Sequence, residues 1–204
     1  MMTNMERQLK PAAGRPRSKT AQRAIFDAAL KLAVERGYHE VSLFDIAQTA
    51  GVGRQTIYRW WPSKRWLYMD VIFDQFDQAA QTAPPAVVDL ETYIKTLVRI
   101  AREKTGPITA ALLLEAQYDQ AFSVQFKKYF WKRREMFRAA IEHAVQPDHE
   151  LNISVDLLLD MLIGVWWYRI LYQFAPLDES LARDMVDAVE KLQVEKHRIS
   201  KTRS

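Results

Sequence analysis

The sequence predicts an all-α chain: a small N-terminal three-helix module joined by a connecting helix to a larger helical body. Three observations predict it. Apolar residues recur at helical spacing through most of the 204 residues. Glycine occurs only six times, four of them in the first 53 residues, and no stretch alternates with period 2. Residues 42 to 64, SLFDIAQTAGVGRQTIYRWWPSK, read as a short helix, a glycine-punctuated turn, a second short helix and the capped start of a third.

The elements follow in order. From Thr20 to Arg36, Ile25, Ala28, Ala29, Leu32 and Ala33 fall at i, i+3, i+4, i+7 and i+8, one face of a helix. Gly37 makes a natural C-cap. Ser42 starts the next helix, and Asp45 three residues on is a variant of the capping box. Val41, Leu43, Ile46, Ala47 and Ala50 give that helix an apolar face, and Val52 plugs the corner. Ile57 and Trp61, four apart, point the following helix inward. Pro62 cannot continue it, and Ser63 caps a helix running through Leu67, Val71, Ile72 and Phe76 to about Ala80. Pro84-Pro85 marks a boundary near 83. Five more helices are expected at about 89–104, 107–118, 122–145, 153–174 and 178–198, with Gly106-Pro107 separating the first two.

Composition narrows the function. Without cysteine there is no disulfide framework, thiolate zinc site or cysteine nucleophile, which suits a reducing compartment. The N-terminus has no apolar run of a secretory signal. No window reaches the ~18 uncharged apolar residues of a membrane span. A soluble cytoplasmic protein with no membrane partner is expected. The net charge of +4 is unevenly placed. Residues 1–70 hold 12 Lys/Arg against 6 Asp/Glu, and residues 71–204 hold 17 against 19. A basic end on a near-neutral body fits a nucleic-acid-binding segment.

The helix after the turn supports that reading. With Ile57 and Trp61 inward, Arg54, Gln55, Thr56, Tyr58 and Arg59 face outward. Arg forks onto guanine, Gln onto adenine, and Thr meets a phosphate or a thymine methyl. Tyr58 and Lys64 are expected on phosphates, which fix register without reading sequence. Ser42 and the amides at its helix start add a further phosphate contact. In the basic arm, Arg15 and Arg17 are candidates for an adjacent minor groove.

Residues 20 to 72 resemble, without a gap, the N-terminal domain of TetR/AcrR-family transcriptional regulators. The landmarks come in order: I-x-x-A-A, the G-Y after it, V-S-L, D-I-A, A-G-V, T-I-Y-R-W, and S-K with an apolar residue three positions on. Two positions depart from the family pattern. Gly53 stands where Ser commonly caps the recognition helix, and Trp60-Trp61 where Tyr/His-Phe is usual. The resemblance implies an all-α homodimer with a helix-turn-helix DNA-binding domain, a connecting helix and a helical ligand-binding and dimerisation domain. It implies repression as the usual role; no enzymatic activity and no cofactor are expected. It places Tyr58 and Lys64 at phosphates and Arg54, Gln55, Thr56 and Arg59 at the groove or backbone. The expected division is a flexible basic arm at 1–19, the helix-turn-helix domain at 20–66, and the effector and dimerisation domain at 67–204.

The C-terminal body leaves the effector open. Gln117, Tyr118, Trp131, Met136, Trp166 and Arg169 are candidate ligand-lining residues, since pockets are apolar and aromatic with a few polar anchors. His39, His143, His149 and His197 are scattered and suggest no metal site. The last two helices have the composition of a dimer interface: Val155, Leu158, Leu159, Leu162, Val165 and Trp166 on one, Leu181, Met185, Ala188, Val189 and Leu192 on the other. The expected partners are a double-stranded, palindromic DNA operator, a second copy of the chain and a small-molecule effector. An activator or DNA-organising protein of the same fold is the second reading. A helical enzyme is the third, and the sequence holds no nucleophile–base or metal constellation for it.

Overall fold

The computed structural model describes residues 18–82 and 89–196. The expected boundary at Pro84-Pro85 lies outside them. The chain divides into two compact units, up to Val71 and from Ile72 onward.

The first unit contains α1 (Lys19–Arg36), α2 (Leu43–Thr49), α3 (Arg54–Trp60) and the start of α4 (Lys64–Thr82). Ser18 caps α1 through its hydroxyl, and Gly37 closes it with a positive φ of 84°. All five residues of the expected α1 stripe are buried. The capping box of α2 is complete: the Ser42 hydroxyl accepts from the Asp45 amide, and the Asp45 carboxylate accepts from the Ser42 amide. The Ser42 hydroxyl and the Ser42 amide both donate to the Asp45 carboxylate and hold it below its ordinary range.

The A-G-V turn has a specific physical cause. Gly51 takes φ 65°, the left-handed conformation in which a Cβ is strained. Its amide donates to Gln48 O at 3.2 Å, and the Val52 amide reaches back to Ala47 O at 3.0 Å. Together these bonds form a Schellman closure, which ends α2 and redirects the chain within two residues. Two buried aromatic residues with polar tips lock the unit. Trp61 donates from Nε1 to Asp70 at 2.8 Å, and Tyr68 donates from its hydroxyl to Ala29 O at 3.1 Å. Burial holds the Tyr68 hydroxyl above its ordinary range, so it stays protonated.

The second unit contains the rest of α4, α5 (Leu90–Ile100), α6 (Gly106–Tyr118), α7 (Gln120–Ala144), α8 (Val155–Tyr172) and α9 (Glu179–Lys191). A short antiparallel ribbon pairs β1 (His149–Leu151) with β2 (Gln193–Glu195). Its core joins Tyr93 and Ile94 of α5, Phe137 and Ile141 of α7, Leu158 and Leu159 of α8, and Leu181 and Met185 of α9.

Three features differ from the sequence expectation. Gly106-Pro107 does not break the helix. The segment Ala101–Thr105 forms a π-helical turn between α5 and α6, in which the Gly106 amide donates to Ala101 O. A wider turn accommodates a proline that lacks an N–H, and it brings Gly106 so near Ala101 O that a Cβ would sit 2.8 Å away. The last helix stops at Lys191, not near 198. Gln193 bonds the Gln146 amide and Ala144 O at the end of α7, and this draws the chain into the ribbon. The third difference concerns the two interface candidates. In α9, Leu181, Met185 and Val189 are buried in the chain's own core. Its outward residues Arg183, Asp184, Asp187 and Glu190 are charged and exposed. In α8, Leu158, Leu159 and Leu162 also face inward. A second stripe, Leu157, Met161, Val165, Tyr168 and Tyr172, remains exposed.

Replacing Gly51 with Ala is expected to destabilise the protein by about 1–2 kcal/mol, the cost of a Cβ in the left-handed region. Gly53→Ser, at an extended N-cap with φ −64°, should leave stability unchanged or raise it. Urea unfolding of both variants checks the contrast.

Candidate nucleic-acid interface and ligand cavity

The recognition face is built by anchoring one side of a seven-residue helix. Ile57 is wholly buried, and Trp61 just past the helix end is 2% exposed. Four residues apart on one face, they fix the rotation of α3. Arg54, Gln55, Tyr58 and Arg59 are therefore exposed, and Thr56 is half-buried. Gly53 caps α3 without a side-chain bond. The Arg54 guanidinium carbon lies 5.7 Å from the Phe44 ring centre and 5.5 Å from that of Tyr58. The Arg54 guanidinium thus sits within cation–π reach of two aromatic rings. Phe44, exposed in the first turn of α2, was not among the sequence candidates. Its signal was an aromatic residue off the apolar face of a helix-turn-helix.

Two residues expected at phosphates, Lys64 and Ser42, make hydrogen bonds within the chain. The Lys64 ammonium donates to Tyr38 O and His39 O, both at 2.9 Å, and to Val41 O at 3.2 Å. It also lies 4.6 Å from the Tyr38 ring centre. An ammonium has three N–H donors, and here three carbonyls of one turn receive them. Lys64 therefore ties the α1–α2 connection to the start of α4. The Ser42 hydroxyl is likewise committed, donating to Asp45 Oδ2 at 2.5 Å beside an anionic carboxylate. Arg15 and Arg17 lie outside the described residues.

A cavity of about 400 Å³ lies inside the second unit. Trp131 and Trp166 line it, as do Tyr93, Phe130, Trp167 and the buried hydroxyl residues Thr105 and Thr109. The π-helical turn supplies part of this wall. Thr105 donates from Oγ1 to Ile100 O, and Thr109 donates to Thr105 O at 2.7 Å, so carbonyls displaced from the regular ladder are satisfied. Burial pushes the Tyr93 hydroxyl up to about 12, partly offset by the Arg133 charge.

The other candidates lie elsewhere. Arg169 borders a second hollow and donates from Nη1 to Pro176 O at 2.6 Å. Gln117 borders a third and donates to Leu113 O of its own helix. Tyr118 is 91% exposed. Met136 touches Arg133 through its sulfur, 3.5 Å from Nη1, without lining the cavity. The sequence candidates omitted Lys127, Arg133 and Arg134 of α7, which also line the cavity. Arg133 and Arg134 belong to the charged run 132–135, and Lys127 precedes it by five residues.

Arg133 bridges the cavity wall and α4. Its guanidinium donates to Asp77, to Phe76 O at 3.5 Å and to Tyr129 Oη at 3.0 Å. Beside it the rings of Phe73 and Tyr129 stack with centres 3.4 Å apart. Among the described residues no group of three His, Asp or Glu side chains is placed to hold a metal ion. No helix there is long and apolar enough to cross a membrane.

The sequence matches two family profiles. Residues 25–71 match bacterial regulatory proteins of the TetR family, and residues 86–189 match the tetracyclin repressor-like C-terminal domain. The helix-turn-helix-type transcriptional regulator YdeS of Bacillus subtilis is 29% identical over 181 residues, covering 85% of this chain and 89% of its own length. EthR of Mycobacterium tuberculosis, also an HTH-type transcriptional regulator, is 28% identical over 161 residues, 71% of this chain and 74% of its own. Among solved structures, a transcriptional regulator of Saccharomonospora viridis in complex with choline superposes with a TM-score of 0.64 at 18% identity. It covers 88% of this chain and all of its own. FadR of Bacillus subtilis in complex with stearoyl-CoA gives 0.56 at 17% identity, covering 82% and 96%. At these identities the structures establish the fold. The profiles cover the recognition helix and the helical body in turn, and by them the chain belongs to the TetR family of DNA-binding, helix-turn-helix transcriptional regulators.

Proposed function

We propose that this protein is a ligand-responsive repressor that holds a palindromic operator as a homodimer. The exposed polar face of α3, presented by the buried Ile57 and Trp61, carries the reading. Arg54 and Gln55 read base edges, while Tyr58 and Arg59 reach the groove or its phosphates.

The unpartnered α8 stripe supports the dimer. Leu157, Met161, Val165, Tyr168 and Tyr172 recur at i, i+4, i+8, i+11 and i+15, an apolar line left exposed among the described residues. A twofold contact there pairs like with like. Two recognition helices related by a twofold then meet successive major grooves about 34–36 Å apart, which calls for a palindromic site. The cavity supports ligand response, as do the choline and stearoyl-CoA complexes of proteins with this fold. An effector there biases α4 through the Arg133 contacts to Asp77 and Phe76, and α4 begins at the Lys64 anchor of the DNA-binding unit.

Gln55→Ala is expected to relax base preference at one operator position, removing about 1–3 kcal/mol of discrimination. A panel of single-base operator variants measures it, and unchanged preference at every position would show that α3 is oriented otherwise.

Lys64→Met is expected to lower stability by about 1.5–3 kcal/mol, as ion-assisted hydrogen bonds to three carbonyls are lost. The slope of log affinity against log salt should stay the same. A drop of about 0.9 in its magnitude would instead mark Lys64 as a phosphate contact.

Val165→Asp tests dimer and repression together. It should sediment as a monomer with unchanged helicity, and a reporter behind the operator should be derepressed. A monomer that lowers reporter output would identify an activator, and a persistent dimer would place the interface elsewhere.

A further inference from the structure

We infer that the cavity of the C-terminal unit takes an apolar anion, a hydrophobic body bearing a single carboxylate-like group received by Lys127 and Arg133. The inference rests on the ligand-responsive reading above and adds the chemical class of the effector.

The argument is one of charge placement. Three cations of α7 line the cavity, Lys127, Arg133 and Arg134, against one carboxylate, Asp160. The ion pairs around it are polarised. Arg133 is 12% exposed and its partner Asp77 53%. Arg134 is 15% exposed, and its partners Asp156 and Asp160 are 64% and 68%. In each pair the guanidinium is turned into the protein and the carboxylate toward water. Water screens the exposed acids more than it screens the half-buried guanidinium groups. With three cations against Asp160, the cavity lining carries a net positive charge.

Lys127 sharpens the imbalance. It lines the cavity and is exposed, and it makes no hydrogen bond or ion pair with another described residue. It stands at the solvent side, where a headgroup enters before its apolar body. Arg133 is the inner cation. It already faces one carboxylate, and its planar fork suits a second oxyanion.

The aromatic lining raises the opposite possibility, a cage for a quaternary ammonium. The ring faces argue against it. Of the lining rings, Phe76 already has the Arg133 guanidinium 5.5 Å from its centre and Trp131 that of Arg134 at 5.7 Å. A further cation would meet those charges where the rings would have drawn it.

Three probes with one ten-carbon tail test the inference on the full chain: decanoate, decan-1-ol and decyltrimethylammonium, each followed by tryptophan fluorescence and calorimetry. Decanoate should bind roughly tenfold or more tightly than either of the others, the expected gain from a charge-assisted bond in a shielded site. In Lys127→Gln and Arg133→Gln that preference should shrink to about threefold or less, with decanol affinity unchanged. Lys127 is exposed, so its variant reports even if Arg133→Gln fails to fold. Equal or tighter binding of the alcohol or the ammonium overturns the charge assignment and leaves the ligand-responsive reading standing. A preference that survives in the folded variants overturns the assignment of the receiving residues. Binding of none of the three removes both the inference and the reading on which it rests.

Discussion

At Gly51 the backbone turns through a left-handed conformation, and everything that faces DNA depends on the direction in which α3 leaves that turn. A seven-residue helix has no stability of its own in water. Its helix propensities are worth tenths of a kcal/mol per residue, whereas burying a large apolar side chain is worth about 1.5–3 kcal/mol. Burial therefore decides, and Ile57 and Trp61 supply it on one side. The Trp61 indole then reaches Asp70, and Lys64 reaches back to the carbonyls of 38–41. A turn, two buried side chains and two cross-links convert a short helix into a rigid presenting surface. Arg54, laid across Phe44 and Tyr58, gains preorganisation from the same scaffold.

The second unit solves a different problem. It encloses an aromatic cavity while keeping charged side chains in its wall. Burying an arginine without a partner costs several kcal/mol, so Arg133 and Arg134 each keep a carboxylate. Asp160 is the one carboxylate in the lining against Lys127, Arg133 and Arg134, so the cavity wall stays net cationic. The π-helical turn belongs to the same construction. It carries Gly106-Pro107 past a position where a regular helix would break, and it sets Thr105 and Thr109 against the cavity.

The N-terminal half of this design was legible in sequence, because its signals are local. A capping box, a left-handed glycine and apolar residues four apart determine structure within a few residues, and Ser42, Gly51, Ile57 and Trp61 all stand where pattern placed them. Lys64 was not legible. Its partners at 38–41 are more than twenty residues away, and sequence pattern offered it only a phosphate as a partner. The ribbon escaped because three-residue strands are too short to show period 2. The α9 stripe was visible, but sequence does not distinguish a face that closes the monomer from one that meets a partner. Leu181, Met185 and Val189 of that stripe pack in the chain's own core. The ligand candidates fared unevenly for the same reason. Trp131 and Trp166 line the cavity, whereas Tyr118 is exposed at a helix end.

In the proposed regulator, α4 is the element that both ligands must bias. Its first residues pack in the DNA-binding unit, and the remainder pack in the ligand-binding unit. Coupling between two sites on this scale is usually about 1–3 kcal/mol, and it is reciprocal: an effector that weakens DNA binding is itself bound more weakly on DNA. The ion pair of Arg133 with the exposed Asp77 is worth at most about 1 kcal/mol, so it does not supply that coupling alone. The stacked Phe73 and Tyr129 and the Phe76 carbonyl act on the same two turns of α4. An anion that draws on Arg133 would disturb the salt bridge, the carbonyl bond and the Tyr129 hydroxyl together, because one guanidinium makes all three contacts. A single side chain shared among a cavity, an aromatic stack and a connecting helix thus gives a small ligand a combined effect that no one of those contacts could provide.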